Sequence, residues 1–109
     1  MNRIPPKLRQ EMADDPYYKT CCFPLSHDCY GKIEWHHALI FGSSQVQEKE
    51  CILPICQTIH EKARNTEIKE VLDLVMYSRM SPEQMKKYSK AVNIFHRFNY
   101  LSNKYRIKV

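Results

Sequence analysis

The segment from Cys29 to Arg64 leaves this chain few ways to fold. Gly31-Lys32-Ile33-Glu34-Trp35-His36-His37 reads as a strand, with Ile33 and Trp35 on one face and branched and aromatic side chains suited to a pleated surface. Gly42-Ser43-Ser44-Gln45 is a loop signal. Cys51-Ile52-Leu53-Pro54-Ile55 follows as a short apolar strand whose proline fits an edge. The polar run from Gln57 through His60 to Arg64 reads as a short helix. Two histidines close the first strand and one lies on the helix, so imidazoles gather where the pieces meet.

At 109 residues the chain is expected to form a single domain with a modest core. No apolar run is long enough to span a bilayer, and Met1 to Lys7 carry no apolar signal region, so secretion is not indicated and a cytoplasmic protein is expected. The net charge of +5 favours polyanions through counterion release, a weak argument by itself. Cys21, Cys22, Cys29, Cys51 and Cys56 are odd in number, which argues against a disulfide framework. Residues 21–60 hold all five cysteines and four of the five histidines, so metal binding is the better reading. Thiolate and imidazole at such spacings suit tetrahedral zinc, which staples small domains.

The flanks read as helices. Residues 1–20 form an N-terminal arm, in which Leu8 and Met12 share a helical face and Asp14-Asp15-Pro16 ends the helix; the arm is expected to pack on the hairpin. Ile68, Val71, Leu72, Val75 and Met76 mark an amphipathic helix capped by Asn65 or Thr66. Ser81-Pro82-Glu83-Gln84 opens another, predicted to run to Tyr105 with Met85, Tyr88, Ala91, Val92, Ile94, Phe95, Phe98 and Leu101 on its apolar face. Lys86, Lys87, Lys90, Arg97, Lys104 and Arg106 on its other face read either as a DNA-contacting surface or as a solvated exterior, the second being somewhat favoured.

The strand, loop, strand and helix resemble the HNH nuclease motif in the form common in bacteriophage genomes. The matching residues are Gly31 to His37, Gln45 to Lys49, Ile52 to Cys56, and His60, roughly a third of the chain. The resemblance implies an α+β fold. Its core, residues 21–64, would be a two-stranded antiparallel hairpin plus helix (the ββα-metal arrangement), with helices over 65–109. It implies a metal-dependent DNA endonuclease acting in phage DNA processing or recombination, with DNA and other phage or host DNA-processing proteins as partners, in the host cytoplasm. His37 matches the general base; His36 and His60 match ligands of the catalytic ion. His36 stands where relatives more often carry Asp or Glu, and imidazole suits manganese, nickel, cobalt or zinc better than magnesium. The asparagine that orients the base falls on Cys51.

The family also implies a structural zinc on Cys29 and Cys56, with Cys22 or Cys21 as a third ligand. The position three after Cys56 is Ile59, which cannot ligate. Cys51 would lie about 16 Å from Cys56 in an extended strand, too far to share an ion. His27 completes a Cys₃His set better; buried free thiols without metal are the other reading. Lys49, Lys62 and Arg64 are candidate phosphate contacts, Arg64 lying four residues after His60 on the predicted helix. Strand alternation turns His36 and His37 to opposite faces, so a regular strand would leave only His37 in the site. The alternative function is a non-catalytic, zinc-stabilised nucleic-acid-binding module.

Overall fold

The computed structural model describes residues 4–90 and 92–107; Met1 to Arg3 of the predicted arm and Ala91 of the predicted apolar face lie outside them. Helix α1 (Pro6–Asp14) has proline at its first position and stops at Asp15, which is extended ahead of Pro16. The Asp15 carboxylate then accepts the Tyr17 N–H at 2.9 Å and caps a 3-10 turn over Pro16–Lys19. Ile4, Met12 and Tyr18 bury against Ile52, with Trp35 beside them. The arm therefore covers one face of the hairpin.

That hairpin is the antiparallel pair β1 (Glu34–His37) and β4 (Ile52–Ile55), with Glu34 opposite Ile55, His36 opposite Leu53 and His37 opposite Ile52. Between them, the predicted loop contains a smaller hairpin, β2 (Ile40–Phe41) and β3 (Ser44–Gln45). Gly42 and Ser43 turn it with φ of 58° and 67°, the positive pair that matches strand twist in two-residue turns. A 3-10 turn at Lys49–Cys51 leads into β4, which is buried along its whole length.

Helix α2 (Gln57–Glu61) is shorter than expected: the chain passes through turns at residues 62–64. Helix α3 (Thr66–Arg79) begins where the Asn65 side chain accepts the Ile68 N–H at 3.2 Å, and buries Val71, Leu72, Val75 and Met76. Helix α4 (Pro82–Lys87) opens with a reciprocal cap, Gln84 N–H donating to Ser81 Oγ at 3.1 Å and Ser81 N–H to Gln84 Oε1 at 2.9 Å.

The predicted single helix from Ser81 to Tyr105 is interrupted: α5 (Ile94–Tyr105) is a separate element. Local side chains cause the break. Ser89 Oγ donates to the Met85 carbonyl and accepts the Ile94 N–H at 3.0 Å, and Asn93 accepts the His96 N–H at 3.2 Å. Serine and asparagine here offer the backbone a capped turn in place of a continuing helix. The break lets α5 fold back on α3, where Ile94 and Leu101 join the core around β4. The whole is an α+β assembly, and among the described residues no helix is long and apolar enough to cross a membrane.

Candidate functional site

Helix α2 carries a candidate ligand near each end. At its start, Cys56 meets Cys21, His27 and Cys29, whose donor atoms all lie within 4.8 Å of one another. The Cys21 sulfur is 3.6 Å from His27 Nε2. A tetrahedral zinc with S and N ligands at their usual lengths would separate them by about 3.6 Å. His27 Nδ1–H donates to the Leu25 carbonyl at 2.7 Å, which fixes the ring and turns Nε2 inward. Burial pushes the Cys56 thiol up, but hydrogen bonds from the Ile59 backbone N–H, the Cys29 thiol, the Tyr30 N–H and Cys21 outweigh it and bring the group down to about 6. Its neighbour Cys29 is raised to about 11, mainly by the hydrogen bond to Cys56. One sulfur is thus ready as a thiolate near neutral pH, as metal ligation requires. The four side chains form a cluster that could hold a metal ion.

Cys22, the first choice for the third thiol, does not join this set; Cys21 does. The Cys22 N–H is tied to the Pro54 carbonyl at 2.9 Å, and its thiol lies beside Tyr17, raised to about 11 by burial. Sequence spacing could not separate two adjacent cysteines; the backbone bond to β4 does. Ile59 is buried in the core and contributes only its backbone N–H to the Cys56 sulfur. Cys51 is fully buried, its thiol pushed to about 12 by burial, and belongs to the core.

In the last turn of α2, His60 faces β1. Its Nδ1 contacts Glu34 Oε2, and its ring centroid lies 5.9 Å from that of His36. Glu34 and His36 share a strand face because they are two residues apart. The His36 imidazole is held below its ordinary range by burial first, then by the charges of His60 and His37.

The regular strand reverses one expectation. His36, not His37, is the histidine that meets His60, because β1 keeps its alternation through residue 37 and sends His37 to the face of Trp35. There His37 Nε2–H donates to Gln47 Oε1 at 3.0 Å. Glu34 and Gln47 were missed as participants. The i, i+2 spacing of Glu34 and His36 could have pointed to the first. No local signal marks Gln47, ten residues from its partner across an intervening hairpin.

Of the predicted phosphate contacts, Arg64 lines a recess of about 290 Å³ with His36, Ala63 and Lys69. It arrives there through the turn after α2, since the helix face argued from its spacing to His60 ends at Glu61. Lys62 is exposed beside it. Lys49 is engaged elsewhere: its Nζ lies 2.7 Å from Asp15 Oδ2, on the arm side of the molecule. The basic face of the last helices is partly neutralised too, by Arg97 with Asp73 at 3.0 Å, Lys104 with Glu70 at 2.8 Å and Lys87 with Glu48 at 3.6 Å. Compared with protein-family models, curated proteins and solved structures, the chain matches none.

Proposed function

We propose that this protein is a metal-dependent DNA endonuclease of HNH type that hydrolyses phosphodiester bonds, with a structural zinc ion on Cys21, His27, Cys29 and Cys56. The observation that carries the reading is His36 meeting His60 where β1 faces the end of α2, beside a recess bearing Arg64 and Lys69. His36 and His60 would hold the catalytic divalent ion. With Nδ1–H donated to Glu34, His60 presents Nε2 as its ligand atom, an arrangement carboxylates impose on metal-binding histidines. A bound cation supplies Lewis acidity and offsets charge on the leaving oxygen. Imidazole ligands favour manganese, nickel, cobalt or zinc for this role.

Gln47 holds the proton of His37 on Nε2, so Nδ1 takes the proton from the attacking water. This step requires the water to sit at the end of β1, where it can reach both the His36 face and His37. Arg64 and Lys69 hold the phosphate by charge. Other phage or host DNA-processing proteins are the partners this activity calls for.

A non-catalytic binding module is the second reading, and the separation of His37 from the His36 face favours it. Nicking of supercoiled plasmid decides between them, with magnesium, manganese, nickel, cobalt and zinc each supplied in turn. The expected outcome is cleavage with at least one ion and a loss of about a hundred- to ten-thousand-fold in His37→Ala. Cleavage by that variant at the parent rate removes the base assignment. No cleavage by the parent with any ion leaves the binding module.

A further inference from the structure

The recess beside His36 does not end at Arg64. Ala38, Lys69 and Asp73 line both this recess and a second, larger one of about 610 Å³ on the far side of Ala38. The larger recess is bounded by the small β2–β3 hairpin on one side and by α3, α5 and the chain between α4 and α5 on the other. Its size is that of a small-ligand site, for which about 300–1,000 Å³ is usual.

Its chemistry is mixed in a particular way. Phe41 and Tyr88 meet edge to face at the wall, ring centroids 5.0 Å apart. The Lys90 ammonium lies 5.8 Å from the Phe41 centroid. Ile40 and Val92 at the rim are 58% and 50% exposed, an apolar lip with no covering element among the described residues. Lys69 and Lys90 make no ion pair with a described residue, in contrast to the cations of α5. Asp73, 7% exposed, is the buried acceptor of the site and is held by Arg97.

We infer that this second recess binds an unpaired nucleotide of a DNA strand whose phosphate lies at Arg64 and His36. Aromatic walls offer a stacking face to any base, cations at the mouth meet the backbone, and a buried carboxylate accepts from an exocyclic amine. A base inside a stacked duplex cannot enter a half-enclosed cavity, so the substrate class is single-stranded or flapped DNA, or duplex with an unpaired nucleotide. The continuity through Ala38, Lys69 and Asp73 gives the strand its path from one recess to the next. The inference rests on the proposed nuclease reading for the placement of the scissile phosphate, but the base-binding step needs no catalysis.

The test is binding by the metal-loaded protein as purified, with no further divalent ion added, followed by fluorescence anisotropy. The probes are a single-stranded oligonucleotide, its perfect duplex, and the duplex with one bulged nucleotide, with 2-aminopurine at the unpaired position in a parallel set. Single-stranded and bulged DNA should bind at least about tenfold more tightly than the duplex, and 2-aminopurine fluorescence should change on binding. Phe41→Ala should lose about tenfold in affinity for the unpaired probes and leave duplex affinity unchanged, while Phe41→Tyr retains both. Lys90→Gln, at an exposed position that threatens the fold little, should weaken the unpaired probes several-fold. Equal affinity for all three probes, or no effect of either Phe41→Ala or Lys90→Gln, overturns the inference. Selective binding without cleavage would sink the nuclease reading alone; cleavage with no preference for unpaired DNA would sink this one alone.

Discussion

At the start of α2, Cys56 sits in a set of four donors within 4.8 Å of one another; in its last turn, His60 and His36 face each other at 5.9 Å between rings, and His60 stays exposed. The sulfur end is complete. Every donor is turned inward and one imidazole is already fixed by a carbonyl, so an ion there would have no vacancy for water or substrate. The imidazole end offers two ring nitrogens, a carboxylate behind one of them, and a positively charged recess opening away from it. Structural metal sites are closed and catalytic ones keep positions free. The difference teaches that one short helix can present two unlike donor sets, because its two ends meet different surroundings.

The largest effect should come from the closed end. With a metal held on this cluster, Cys56→Ser is expected to lose it and to lower Tm by about 10 °C or more, since such an ion would contribute folding free energy directly and each kcal/mol moves a domain of this size by several degrees. Cys22→Ser should keep one metal per chain by mass spectrometry. If Cys22→Ser lost the ion while Cys21→Ser kept it, the ligand set would be wrong.

At the open end, His60→Ala should abolish measurable metal-dependent nicking and leave Tm within a few degrees. Glu34→Gln should weaken the activating metal by about 10- to 100-fold through the loss of its hold on His60. A metal titration of nicking that superimposes on the parent's would remove Glu34 from the site.

Gln47 probes what orients His37. Gln47→Ala should lower kcat by about tenfold with KM unchanged, because it frees the His37 ring without touching the phosphate contacts. Gln47→Glu keeps the acceptor and should recover most of the rate. An unchanged kcat in the alanine variant would show that His37 needs no orientation from this side.

The smallest contrast is between two cations. Arg64→Gln should weaken DNA binding and reduce its salt slope by about 1, the loss of one phosphate contact. Lys49→Gln should leave the slope alone, because Asp15 already holds that ammonium. The pair also has a pH signature: Asp15 is held below the ordinary carboxylate range by its hydrogen bonds to Lys49 and to the Tyr17 N–H. Its contribution is present above the unfolded-state value and is lost as pH falls through the lower folded value. A salt slope that moved equally in both variants would place Lys49 on the DNA.

The hairpin, the crossing helix and α3 were legible because their signals are local: alternation, a buried apolar run, and the spacing of Val71, Leu72, Val75 and Met76. The Cys₃His chemistry was legible too, since thiols and imidazoles crowd into one segment. Three things were not. The split of the last helix depends on what Ser89 and Asn93 bond to, and a polar residue in a helical pattern reads equally well as a solvent-facing one. The choice of Cys21 over Cys22 depends on a backbone bond to Pro54, a long-range contact. The face of His37 follows from the regularity of β1, whereas the predicted site needed a turn there; alternation was readable, but how far the strand would keep it was not.

Gly31 stands at φ 83°, and a Cβ there would come within 2.4 Å of Gln57 Oε1. Only a bare backbone lets the approach to β1 lie against the first turn of α2. That helix has five residues, too few to persist without support, and its seat against Gly31 and the tie from Gln57 N–H to the Tyr30 carbonyl at 3.0 Å are what hold it. Cys56 and His60 therefore stand at the two ends of one short helix held in place at its start. Should ions bind at both ends, any coupling between them would pass through this one helix and would be reciprocal.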